Sequence, residues 1–200
     1  MRIFLYLCAT EMKIDFKNTI ERSWDLLTKT SLTWDRIAVE KENSKTIRKE
    51  YVFVWFAIST LLVFLTSLIY VSDRKIEFAF LKAVITAVSL FGGYFIANHF
   101  CFTFLKKKNI EDISRDNCEK IVAYSFTTIF VLKVLLSLMP SLFFLQVLVV
   151  HCAYLAWEGL RAILNLDENE RGNIILVFSL IIILSPMLIS WILNFMLPNA

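Results

Sequence analysis

From Tyr51 to Val71 the chain runs for a full membrane thickness without one charged side chain. A hydrocarbon core about 30 Å thick needs roughly 20 apolar residues at 1.5 Å per residue. Four further apolar stretches follow, at about 78–104, 121–139, 142–157 and 173–197. In lipid every peptide group must be bonded within the protein, so such stretches fold as helices. Composition agrees. Hydrophobic residues make up 58% of the 200 residues, above the roughly 45–50% of a soluble domain. Only four glycines and three prolines interrupt them. The sequence predicts an all-α polytopic membrane protein. Five transmembrane helices (51–197) follow an amphipathic cytoplasmic N-terminal segment (1–50).

Charge sorting supplies the orientation. Ten Lys and Arg precede the first span, five follow the second (Lys106, Lys107, Lys108, Arg115, Lys120) and two follow the fourth (Arg161, Arg171). The opposite side carries Arg74 and Lys75. Positive loops stay inside, so we expect a cytoplasmic N-terminus and an outer C-terminus. An odd number of spans preserves that sorting.

Residues 1–50 are polar overall. The opening MRIFLYLC has an apolar run shorter than a signal-peptide core of about 7–15 residues, so no cleaved signal is expected. Met12 is an alternative start. Between Ile14 and Glu40, Ile20, Trp24 and Leu27 recur at helical spacing. A break at Thr30-Ser31 is expected, then a short helix with Thr33 as N-cap and Asp35 in its first turn. Trp24 and Trp34 are expected as interfacial anchors, since indole joins an apolar body to one N–H donor. The segment either lies on the membrane surface or packs under the bundle.

Chemistry is sparse. All eighteen Asp and Glu lie outside the expected span cores, Glu158 at the end of the fourth, which counts against an ion-coupled pump. Lys82 lies near the outer end of the second span. Lys133 lies deeper in the third, where snorkelling toward Pro140 is the expected role and Ser137 a candidate partner. His99, Cys101, His151 and Cys152 are the candidate metal ligands. Neighbours such as His151 and Cys152 point about 100° apart on a helix, so ordinary packing is expected and no metal or cofactor is assigned. Cys8, Cys101, Cys118 and Cys152 form no C-x-x-C pair, and reduced thiols are expected. Gly92-Gly93 permits close approach by another helix, and Pro186 is expected to kink the fifth. A net charge of +3 is too small to suggest nucleic acid. No phosphate-cradling loop or hydrolase elbow is present.

Three short segments carry a family resemblance: Thr33-Trp34-Asp35-Arg36-Ile37-Ala38, Tyr124-Ser125 with Met139-Pro140, and His151 to Leu160 (HCAYLAWEGL). With the five-span layout, the chain resembles the YIP-domain family of Ypt/Rab-interacting proteins and their bacterial relatives over roughly residues 30–196. Thr127-Thr128 stands where relatives often carry a proline. The resemblance implies a membrane protein without enzymatic activity. Eukaryotic members act in vesicle trafficking and contact small GTPases. The compact chain looks more like the bacterial type, so no GTPase partner is carried over and an inner-membrane location is expected. The expected function is binding lipid or membrane-protein partners, including a second copy, or organising the bilayer. A transporter would need a polar path through Asn98, His99, Lys133, Gln146 and His151. A membrane enzyme would need His99, His151 and Glu158 together.

Overall fold

The computed structural model describes residues 16–40, 42–70, 75–108, 113–164 and 168–197, and their side chains except those of 75 and 168–171. The opening MRIFLYLC, the alternative starts and the turn at 71–74 lie outside these residues. Every described element is helical. Two short helices, α1 (Phe16–Thr28) and α2 (Thr30–Val39), precede five long ones. These are α3 (Ser44–Tyr70), α4 (Lys75–Lys107), α5 (Arg115–Leu138), α6 (Pro140–Leu164) and α7 (Glu168–Met196). All five are long and apolar enough to cross a membrane.

Helix α4 is the central staff, packed along α3 on one side and α7 on the other. The closest approach is at Gly93, where a Cβ would stand 2.6 Å from Pro186 Cα. Helix α7 runs through Pro186 without ending, and Ser185 Oγ donates to Ile181 O at 2.6 Å just before it. Within lipid, helices gain nothing from apolar burial as such, so shape and contact density hold them together. Aromatic rings supply much of that contact. Phe130 stacks on Trp55 at 6.1 Å and meets Phe56 edge-on at 5.5 Å, while Tyr94 meets Phe126 edge-on at 5.6 Å. Each such pair is worth about 0.5–1.5 kcal/mol beyond its area.

The helices reach beyond the apolar stretches. Helix α3 begins at Ser44, with Asn43 as its cap, and its turn Arg48–Val52 is a π-turn. Helix α5 begins at Arg115, capped by Ser114, so Glu119 and Lys120 are helical rather than in a loop. Helix α6 opens as a 3-10 stretch, Pro140–Val150, before the α-helix His151–Leu164.

The N-terminal segment differs from expectation in three ways. The break falls at Lys29, and Thr33 lies inside α2 with its hydroxyl returned to Lys29 O at 2.9 Å, so it is not the N-cap. Trp34 is 0% exposed, its ring against Gly159 and Tyr124; it is a core residue and not an interfacial anchor. Helix α1 buries Thr19, Ser23 and Leu26 and turns Phe16, Ile20 and Trp24 outward. A soluble protein would do the reverse. The inward polar groups are satisfied: Thr19 Oγ1 donates to Glu50 O at 3.0 Å, and Ser23 Oγ bonds the Tyr51 hydroxyl at 2.8 Å. Residues 16–40 are therefore joined to the bundle end across position 50.

Candidate functional site

The bundle has two unlike ends. The first, where α1 and α2 cover the N-terminal ends of α3 and α5, is polar and filled. Arg22 forks onto Glu40 at 2.8 and 2.7 Å, reaches Glu42 at 3.1 Å and donates to the Tyr124 hydroxyl. Burial opposes its charge, but Tyr124, Glu42 and Glu40 outweigh that and hold its pKa above the ordinary value. Arg48 forks onto Glu119 at 2.7 and 2.6 Å, and Tyr94 donates to the same carboxylate at 3.0 Å. Lys120 Nζ donates to Glu40 O at 2.7 Å and Ile37 O at 3.4 Å. Arg161 joins Glu158 at 2.9 Å to Asp35 at 3.1 Å.

The three segments that carry the family resemblance meet here, apart from Met139-Pro140, which lies at the cavity end. Trp34 stands edge-on to Tyr124 at 5.9 Å. A Cβ on Gly159 would fall 2.8 Å from the Trp34 ring, so only glycine lets the indole seat. Cys152 Sγ donates to Ser125 O at 3.1 Å. Trp34, Tyr124, Ser125, Cys152 and Gly159 are thus parts of one packed joint. Sequence reading missed Arg22, Arg48, Glu119 and Lys120 because each looks like a loop or boundary charge until its distant partner is known.

The other half holds a cavity of about 920 Å³ between α3, α4, α5, α6 and α7. That is the size of a small-molecule site, for which ≈ 300–1,000 Å³ is usual. Lys82, Lys133, Ser89 and Gln146 are on its wall, with Ser190 and Asn194 from α7. Pro140 and Pro186 also line it. Tyr70, Val147, Met187 and Trp191 belong to the lining and are exposed, so the cavity opens at the protein's outer surface. Ser137 turns its hydroxyl to Val134 O at 2.8 Å and is not bonded to Lys133.

The remaining sequence candidates go elsewhere. Of the five polar-path residues, Lys133 and Gln146 share the cavity. Asn98 is buried away from it, with Oδ1 unbonded among the described residues. His99 is exposed, and His151 is half-buried, with Nδ1 3.4 Å from Thr128 Oγ1. The five do not form one path. Cys101 Sγ faces Phe178 O at 3.9 Å, so Cys101, His151 and Cys152 keep separate partners. Among the described residues no three His, Cys, Asp or Glu side chains come together as a metal site. Glu158 is committed to Arg161. Trp24 is 67% exposed beside α1's other outward apolar residues. Gly92 approaches only the tip of Ile189.

Five apolar helices with a polar joint at one end and a lateral cavity at the other define a multi-pass α-helical membrane protein. The Yip1 domain family model matches residues 24–192, and the chain belongs to that family. Comparisons with curated proteins and with solved structures gave no match.

Proposed function

We propose that this protein is a non-enzymatic lipid-binding member of the family, and that the cavity between α3 and α7 is its lipid site. The carrying observation is a chamber of about 920 Å³ with an exposed apolar rim and a wall that mixes aliphatic and polar side chains. A bilayer lipid has that same two-part chemistry. The non-enzymatic part rests on the family resemblance and on the sparse chemistry of the sequence. Charge sorting supports a cytoplasmic N-terminus, with the polar joint inside and the cavity in the outer half. The outward face of Phe16, Ile20 and Trp24 supports α1 lying at the inner membrane surface. The bacterial type and an inner-membrane location belong to the same reading and rest on the likeness to that branch.

Native mass spectrometry of protein extracted with its own lipids tests the site. Adducts of lipid mass that survive mild activation, and weaken when Ser89 and Ser190 are both replaced by leucine, are expected. A lone protein indifferent to added lipid overturns the reading. Proteolysis on spheroplasts tests the orientation: a C-terminal tag should be lost and an N-terminal tag kept.

A further inference from the structure

The wall of the cavity carries a sign. Lys82 and Lys133 both line it, and no carboxylate is among its described lining residues. Lys82 Nζ lies 4.5 Å from the Phe78 ring centroid, a contact that steadies an ammonium without neutralising it. Lys133 is half-buried and makes no hydrogen bond or ion pair with any described residue. Among the described residues the strongly paired cations are at the opposite end, where Arg22, Arg48 and Arg161 each hold a carboxylate. Ser89 adds a second unmet group: it is 1% exposed, lines the cavity, and its hydroxyl has no partner among the described residues. Leaving an ammonium and a hydroxyl unmatched in an apolar surround costs free energy, which an entering anion returns.

We infer that the ligand is an anionic phospholipid, its phosphate held on the Lys82 and Lys133 wall and its chains leaving past Val147, Met187 and Trp191. This rests on the proposed lipid site and names its specificity. A lipid phosphate fits better than a free one because the rim is apolar, so the ligand arrives from the bilayer. The basic run Lys106–Lys108 closes the far end of α4 and takes no part.

The test titrates the full-length protein in neutral detergent with phosphatidylglycerol, with phosphatidylcholine of the same chains, and with inorganic phosphate, reading bound lipid by native mass spectrometry. The wild type should prefer phosphatidylglycerol by about fivefold per participating lysine. The Lys82→Gln, Lys133→Gln double variant should lose that preference while still binding phosphatidylcholine, which also reports that it is folded. Replacing Lys106, Lys107 and Lys108 by glutamine should leave the preference intact. Equal binding of both lipids by the wild type overturns the anion inference and leaves the lipid site standing. Binding of neither lipid overturns the lipid site itself. Inorganic phosphate competing as well as the lipid overturns the lipid source. Loss of preference only in the 106–108 variant moves the site to the other end and overturns the assignment.

Discussion

Replacing Glu119 by leucine should be among the most damaging single changes in this protein. Its carboxylate, 1% exposed, accepts Arg48 through two bonds of 2.7 and 2.6 Å and Tyr94 through one of 3.0 Å. Removing one partner of a buried pair costs about 3–5 kcal/mol, because the orphaned charge stays behind. The Arg48 side chain is 32% exposed and can regain some water, so the low end of that range applies. Tyr94 is fully buried and loses its acceptor, a further cost of roughly 1–3 kcal/mol. The two costs share one carboxylate and overlap, giving about 4 kcal/mol in all. Glu119→Gln keeps one acceptor oxygen and should cost about half as much. Removing the whole constellation (Arg48→Met, Tyr94→Phe, Glu119→Leu) should recover most of the loss, since no charge then remains unpaired. Unfolding in mixed micelles, followed by far-ultraviolet circular dichroism, measures all three. A cost below about 1 kcal/mol for Glu119→Leu, or a triple variant no better than the single, refutes the reasoning.

The two adjacent glycines of α4 should respond oppositely. Gly93→Ala drives a methyl into the backbone of Pro186 and should cost about 1–3 kcal/mol, whereas Gly92→Ala meets only the flexible tip of Ile189 and should be neutral or stabilising, read in the same unfolding assay. Gly159→Ala pushes on Trp34, and a net loss of about 1–2 kcal/mol with a shifted tryptophan emission is expected. Cys101, Cys118 and Cys152 are all buried, so in a Cys8→Ser background maleimide labelling should be negligible before unfolding and complete after it. Prompt labelling of the native protein contradicts the packing around them.

Residue chemistry made some parts of this architecture readable and left others silent. The five long helices were legible because an uncharged stretch of about twenty residues has few other uses. Their ends were not. Glu119 and Lys120 look like loop charges because their partners, Arg48 and the carbonyls of Ile37 and Glu40, lie more than seventy positions away in the chain. Ile20 and Trp24 announced an apolar face on α1 but not its direction, since the surroundings of a membrane helix are as apolar as a core. Trp34 reads as an anchor by residue type; only the empty space above Gly159 shows that it is buried. Of the polar path, Lys133 and Gln146 met in one cavity, while Asn98, His99 and His151 fell on other faces that helical period alone did not assign.

The division between the two ends bears on what the cavity is for. At the polar joint Arg22, Arg48 and Arg161 each hold a carboxylate, Lys120 is held by two carbonyls, and Gly159 makes room for Trp34, which is how a packed scaffold is held. The cavity end has no such ion pairs among the described residues of its wall. There the helices leave an open chamber of about 920 Å³ with small polar side chains on its wall. Closing the void would need only modest change, such as larger side chains at Ser89, Thr86 or Ser190. The protein instead keeps small polar residues there and two lysines that no described residue of the wall neutralises. On the proposed reading such a chamber holds a guest, and its open apolar rim draws that guest from the bilayer. The rigid joint at the far end then has a clear mechanical sense: it fixes α3, α4 and α5 at one end so that their other ends can stand apart around a guest.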